Sequence, residues 1–202
     1  MPKIAAILLA AGRSSRMKES KALLPWGSTK SLILYQIESL ESAGFEPIVT
    51  VLGHNYEAIQ EEISNCNVEI TINAQYDQGR SSSIIAGLKA LPSRSTDVLF
   101  ISVDQPRTKG ILTHLRQAWA NSDALIATPS YGNNGGHPII FKNCLIPELL
   151  SVTEAKNGLR EIVTKYQNDR VFVPINDPLV LTNINNLEDY NLASKIFEST
   201  NL

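Results

Sequence analysis

Short runs of Ile, Val, Leu and Ala alternate along the chain with longer stretches in which apolar residues return every three or four positions. The short runs at 4–9, 48–52, 68–72, 98–103 and 125–128 are almost unbroken, the pattern of strands covered on both faces. The longer stretches at 31–42, 56–63, 82–91 and 112–121 carry the helical period. Ser42-Ala43-Gly44 reads as a helix end, because glycine takes the positive φ of a C-terminal cap without strain. Strand alternating with helix predicts crossover connections, and so a mostly parallel sheet with helices on both faces: a doubly wound, three-layer α/β sandwich. The pattern loosens after Pro129. A polar loop over 130–136 is followed by a short strand at 138–141, helical patches at 146–151 and 159–166, a strand at 171–174 and a last helix at 187–197. These additions are expected to complete the same domain, 1–202, with one antiparallel strand among them.

The 202 residues are 43% hydrophobic and 19% charged, enough for one domain with a real core and unlike a disordered chain. Eighteen basic against twenty acidic side chains leave a formal charge of −2, which favours neither a nucleic acid nor a membrane surface as partner. The longest strongly apolar run, 4–11, is far short of the roughly 20 residues that span a bilayer. Arg13, Arg16 and Lys18 follow it in place of a small-residue cleavage site, so no signal peptide is expected. Cys66 and Cys144 form no Cys-x-x-Cys pair, and two free thiols in a reducing cytoplasm are expected.

In sheets of this kind ligands bind beyond the carboxyl ends of the strands. After the first strand comes Leu9-Ala10-Ala11-Gly12-Arg13-Ser14-Ser15-Arg16-Met17, and then Lys21. Small residues at Ala10, Ala11 and Gly12 let the backbone approach a ligand, and the loop amides with the Ser14 and Ser15 hydroxyls can line an anion pocket. Arg13, Arg16 and Lys21 add three cations to the same loop, which suits a polyphosphate; a solvated basic loop is the plainer alternative. The spacing is neither a Walker loop nor a G-x-G-x-x-G fingerprint, which disfavours a dinucleotide-dependent dehydrogenase.

Asp104 follows the run at 98–103 and therefore belongs to the same rim. A carboxylate there can hold Mg²⁺ together with substrate phosphates, although an aspartate ahead of Pro106 is equally at home in a turn. Ser81 or Ser82 is expected to cap the helix at 82–91, whose N-terminus, with Gly79, can turn amides and hydroxyls towards a nucleotide. His137, behind Gly135-Gly136, is the one histidine in a plausible site, with structural and substrate-side roles both open. His54 and His114 read as surface residues, and Trp26, Trp119 and the tyrosines as packing.

The loop at 9–21 resembles the opening of the MobA-like nucleotidyltransferase superfamily, L-A-[AG]-G-x-[SG]-x-R-M followed by a lysine. Four further segments resemble its motifs in the same order: Gly79-Arg80-Ser81-Ser82-Ser83-Ile84-Ile85-Ala86-Gly87-Leu88, Asp104-Gln105-Pro106, Gly135-Gly136-His137-Pro138, and Gly158 with Arg160. The likeness is nearest to the molybdenum cofactor cytidylyltransferases and the accessory proteins of molybdenum hydroxylases. It implies a nucleotide-diphospho-sugar transferase-like fold and a cytoplasmic, Mg²⁺-dependent transfer of CMP from CTP to a molybdopterin-type cofactor, with release of pyrophosphate. A molybdenum hydroxylase apoenzyme is an implied partner.

The resemblance implies catalytic roles for Arg13, Arg16, Lys21 and Asp104. It implies nucleotide contacts at Leu9, Ala10, Ala11, Gly12, Arg13, Lys21, Gly79, Ser81 and Ser82, and acceptor contacts at Gln105, Pro106, Gly136, His137 and Arg160. Asn183-Ile184-Asn185-Asn186-Leu187-Glu188-Asp189 corresponds to a late metal-binding segment of the family, with Leu187 where relatives have proline. Asn185 is then the second metal ligand beside Asp104, though Asn185 or Asn186 can equally cap the last helix. A sugar or alditol phosphate as acceptor, GTP as donor, and a binding module without turnover are the alternatives.

Overall fold

Ile4–Ala10 forms the central strand β1, and every residue of it is buried. A strand sends successive side chains to opposite faces, so Ile4, Ala6 and Leu8 enter one core while Ala5, Ile7 and Leu9 enter another. Both faces are therefore covered, as the unbroken apolar run predicts. The structure, a computed structural model, describes residues 3–14, 17, 19–29, 31–93 and 96–200.

The remaining strands are Ile48–Leu52 (β2), Glu69–Ile72 (β3), Asp97–Ser102 (β4), Ile126–Tyr131 (β5), Asn134–Gly135 (β6), Ile139–Phe141 (β7) and Arg170–Pro174 (β8). β3, β2, β1 and β4 lie side by side and parallel. β7 runs antiparallel between β4 and β5. Ile126 of β5 pairs with Phe141 of β7 and with Arg170 of β8, so β8 lies on the far edge of β5, parallel to it. One mostly parallel, eight-stranded sheet results.

The helices are Leu32–Ser42 (α1), Tyr56–Glu62 (α2), Arg80–Ala90 (α3), Lys109–Ala120 (α4), Ile146–Leu149 (α5), Leu159–Lys165 (α6) and Leu187–Thr200 (α7). Ile33, Ile37, Leu112 and Leu115 of α1 and α4 cover one face of the sheet. Ile84 and Leu88 of α3, with Ile146 and Ile162, cover the other. Gly44 ends the segment after α1 at φ +80°, as its place in the sequence predicts. Trp26 and Trp119 are buried, whereas His54 and His114 are exposed. Cys66 and Cys144 are free thiols. No helix among the described residues is long and apolar enough to cross a membrane.

Four local features differ from the sequence expectation. β3, expected to be covered on both faces, is an edge strand with no buried residue and Ile72 47% exposed, because the polar Glu69 and Thr71 interrupt its apolar run. The polar stretch at 130–136 is no open loop: β5 continues to Tyr131, turns through Gly132-Asn133 and returns as β6, pairing Ser130 with Gly135 and Tyr131 with Asn134. Its composition reads as loop because a two-residue hairpin turn uses the same Gly and Asn residues. A second antiparallel strand is thereby added to β7. Helix α4 starts three residues earlier than its apolar period, at Lys109, because the Thr108 side chain accepts a hydrogen bond from Ile111 N at 3.2 Å. Helix α3 starts at Arg80 with Gly79 in the cap position, and neither Ser81 nor Ser82 caps it. The acceptor for Ser81 N is Glu154 Oε1 at 2.5 Å, a residue 73 positions away.

Candidate functional site

β1 and β4 are adjacent and parallel, so the segments leaving their carboxyl ends share one rim. Leu9 pairs with Ser102, and Val103 N then donates to Leu9 O at 3.0 Å, which sets Asp104 beside the loop after β1. The two segments wall a cavity of about 280 Å³ that also receives Tyr76, Gly79, Arg80 and Ser83. Leu9, Ala10, Ala11, Gly12, Lys21 and Asp104 all line it. Lys21 Nζ stands 3.9 Å from Asp104 Oδ2, the lysine side chain 14% exposed and the carboxylate 31%. Ser14, in the left-handed region at φ +51°, takes the Lys21 amide on its Oγ at 3.1 Å and so folds the loop back over the cavity. Arg13 is exposed and is not among the residues lining the cavity; its Cζ lies 5.6 Å from the ring centroid of Tyr76, which does line it. Ser15, Arg16 and Lys18 lie outside the described residues.

The turn carrying Asp104 is tied down from three directions. Gln36 of α1, wholly buried, donates to Ser102 O at 3.2 Å and Gln105 O at 2.7 Å. Ile184 N donates to Asp104 O at 2.8 Å, which brings the segment 183–185 alongside. Gln105, 3% exposed, accepts from Ser102 N through its side-chain oxygen and donates through Nε2 to Asn183 Oδ1 at 2.7 Å. Its amide is thus spent inside the fold, and neither Gln105 nor Pro106 lines a cavity described here. Asn186 caps α7 by accepting from Asp189 N at 2.9 Å, while Asp189 accepts from Asn185 N at 2.8 Å. The exposed Asn185 side chain takes no part in that cap.

Arg107 is the third tie. It has no exposed surface, and its guanidinium donates to Pro106 O, His137 O, Val180 O and Thr182 O at 2.8–3.0 Å. Burial pushes its pKa down to about 9, opposed by Asp104 and Asp177, so the group stays charged at neutral pH. One side chain thereby holds the Asp104 turn against the His137-Pro138 turn.

Arg80 lines both this cavity and a second one of about 580 Å³. The surrounding protein lowers the Arg80 pKa, and Asp104 and Glu154 pull the other way. The second cavity is walled by Ser81, Phe100, Gly136, His137, Glu154, Gly158, Arg160 and Arg170, among others. His137 there is pushed down to about 4, first by burial and then by Arg80, Arg107 and Arg170, and is neutral at pH 7. Gly136 is required: a Cβ on it would lie 2.2 Å from Val180 O.

The structure thus brings Leu9, Ala10, Ala11, Gly12, Lys21, Gly79 and Asp104 to one cavity, and Ser81, Gly136, His137 and Arg160 to its neighbour. Ser82 lines neither; its Oγ donates to the Gln75 and Gly79 carbonyls at 2.8 Å. Arg80, Arg107, Glu154 and Arg170 were not read as site residues from the sequence. Arg80 had a signal, standing inside a matched motif, whereas Arg107, Glu154 and Arg170 sit in segments whose approach depends on the sheet order.

A cavity lined by Lys21, Arg80 and Asp104 at the carboxyl ends of the strands of a mostly parallel α/β sheet is where ligands bind in folds of this class. Residues 6–171 match the family model of the MobA-like NTP transferase domain, and the chain belongs to that family. A nucleotidyl transferase from Methanothermobacter thermautotroptrophicus shares the fold with a TM-score of 0.83 at 23% identity, over 98% of this chain and 99% of that one. Nicotine blue oxidoreductase of Paenarthrobacter nicotinovorans is 27% identical over 168 residues, covering 79% of this chain and 81% of that protein. The bifunctional protein GlmU of Rhizobium johnstonii is 28% identical over 158 residues, 76% of this chain but only 34% of its own length. The chain therefore spans about a third of that relative.

Proposed function

We propose that the protein transfers a nucleotidyl group from a nucleoside triphosphate, CTP in the favoured reading, to a phosphorylated small molecule of the molybdopterin type, releasing pyrophosphate. One observation carries this reading: Lys21 and Asp104 face each other across a single cavity built by the loop after β1 and the end of β4. A phosphate oxygen of the acceptor attacks the α-phosphorus, and the bond from that phosphorus to the bridging oxygen of the β-phosphate breaks. Displacement at phosphorus asks for alignment and charge neutralisation more than for covalent help. Lys21, with Arg13 and Arg16 of the same loop, neutralises the β- and γ-phosphates. The Ala10–Gly12 backbone and Gly79 hold the nucleotide, and Arg80 stands where the two substrates meet. No general base is needed, because a phosphate monoester already carries −1.5 to −2 charges near pH 7.

The donor set fits a divalent ion that arrives with its nucleotide. Asp104 lines the cavity and offers a carboxylate, and Asn185, which does not line it, follows Ile184 on the segment hydrogen-bonded to Asp104 O and offers a carbonyl; no group of three or more His, Cys, Asp or Glu gathers to hold a metal among the described residues. Mg²⁺ commonly takes one or two carboxylates and completes its shell with phosphate oxygens and water. Bound there, it supplies positive charge to the polyphosphate.

The second cavity is read as the acceptor site, with Gly136, His137 and Arg160 on its wall. Asn157, Thr164 and neutral His137 can also hydrogen-bond hydroxyls, which favours a sugar or alditol phosphate as the second reading. Pyrophosphate release, measured with each of the four triphosphates and Mg²⁺, with and without molybdenum cofactor, tests the proposal. Release that depends on CTP and the cofactor is expected. Tight nucleotide binding without release under any acceptor makes the chain a binding module instead.

A further inference from the structure

Resting on the acceptor reading of the second cavity, we infer that Arg170 is a specificity-determining residue and that the acceptor carries a second anionic group besides the phosphate that attacks. Arg170 projects from edge strand β8 into that cavity. Its guanidinium is pinned rather than free: Nε donates to Thr128 Oγ1 at 2.9 Å, and Cζ lies 4.3 Å from the ring centroid of Phe172. A Cβ on Gly135 would lie 3.3 Å from one of its terminal nitrogens, so glycine there leaves the fork room. No acidic residue among the described ones pairs with it. Burial lowers its pKa and no carboxylate raises it, so the charge is held where the protein supplies no counter-ion. A planar guanidinium fixed in direction and lacking a counter-ion is built to receive a carboxylate, a phosphate or a comparable anion.

Other residues of the cavity account for the attacking phosphate, and Arg160 on the same wall adds a further cation. Arg80 is shared with the nucleotide cavity, and Ser81, which lines the acceptor cavity, has a buried Oγ without a hydrogen-bond partner. His137 on the same wall is neutral and brings no charge to balance an anion. Glu154 lines the same cavity, but its carboxylate is committed to Ser81 N. An acceptor with a phosphate at one end and only hydroxyls at the other leaves the Arg170 fork unanswered.

A matched pair of linear probes tests this: 6-phosphogluconate and sorbitol 6-phosphate differ at the far end by a carboxylate against a hydroxymethyl group. Calorimetric titration of the whole chain is expected to give at least about tenfold tighter binding of 6-phosphogluconate, the worth of a charge-assisted hydrogen bond. The advantage is expected to shrink to about threefold or less in Arg170→Gln and to return in part in Arg170→Lys, each variant checked for an unchanged unfolding temperature. Equal affinity of the wild type for the two probes overturns the inference, as does failure to bind 6-phosphogluconate. An advantage that survives Arg170→Gln removes Arg170 from the role. These titrations need no turnover, so a failure of pyrophosphate release leaves them interpretable and refutes only the nucleotidyl-transfer reading.

Discussion

Replacing Arg107 with methionine keeps the length of the side chain and removes its donors. Four backbone carbonyls then lose a guanidinium partner: Pro106, His137, Val180 and Thr182. Val180 O keeps the His137 amide at 3.2 Å, so three acceptors lose their donor, the Pro106 carbonyl buried and those of His137 and Thr182 part-buried. An orphaned buried polar group costs about 1–3 kcal/mol, and with two of the three only part-buried each is taken near the lower end of that range, or below it for those water can reach. No longer burying a charge offsets part of that, so about 2–3 kcal/mol is the working figure. For a chain of this size each kcal/mol moves the midpoint by about 2–4 °C, and Arg107→Met is expected to unfold about 4–12 °C below the wild type by calorimetry. Arg107→Lys, with one ammonium in place of a five-donor fork, is expected to fall between them. Pyrophosphate release should drop as well at temperatures where the variant is folded, since the same guanidinium spans the Asp104 and His137 turns. A midpoint for Arg107→Met within about 2 °C of the wild type refutes the reasoning.

Loss of one preorganised charge contact typically costs ~10²–10³ in rate; Lys21→Ala and Asp104→Ala are each expected to lose at least that in turnover with far-ultraviolet circular dichroism unchanged. Wild-type turnover at saturating Mg²⁺ in either variant withdraws its residue from the site. Gly12→Ala separates fold from function, because a Cβ there would meet no protein atom within 4 Å. Its unfolding temperature should stay within about 2 °C of the wild type, while a methyl group facing the nucleotide is expected to weaken CTP binding about tenfold, by analogy with overpacking costs of ~1–3 kcal/mol; unchanged affinity argues against a close approach there.

His137 gives a pH signature. Its folded pKa of about 4 lies below the ordinary 6.5, so between those values the unfolded chain binds a proton that the native state refuses. Stability should therefore fall as pH drops from about 6.5 to about 4, by at most about 3 kcal/mol at 1.36 kcal/mol per pH unit. Urea unfolding across that window in wild type and His137→Gln checks it: the variant should show the shallower acid slope, and equal slopes defeat the assignment.

Elements written as continuous burial were legible in the chain itself. β2 occupies 48–52, residue for residue as its Val/Ile run predicts, and β1 differs only by including Ala10. The rim position of Asp104 was legible for the same reason, since an acid directly after a buried strand has only the strand's carboxyl end to occupy. Its partner was not: the approach of Lys21 depends on β1 and β4 being neighbours, and no local period encodes strand order. The same holds for Glu154, which caps α3 from 73 residues away, and for Arg107, which in sequence is one more polar residue of a proline turn. Burial periodicity is a property of one segment against an average interior, so the sequence alone determined the buried strands, the main helices and which loops could bind, but not the short hairpin strand β6 or the exposure of edge strand β3. The joining of those loops into two adjoining cavities needed carbonyls, carboxylates and guanidinium groups from distant segments to meet at hydrogen-bond distance, and only the packed tertiary structure decided that.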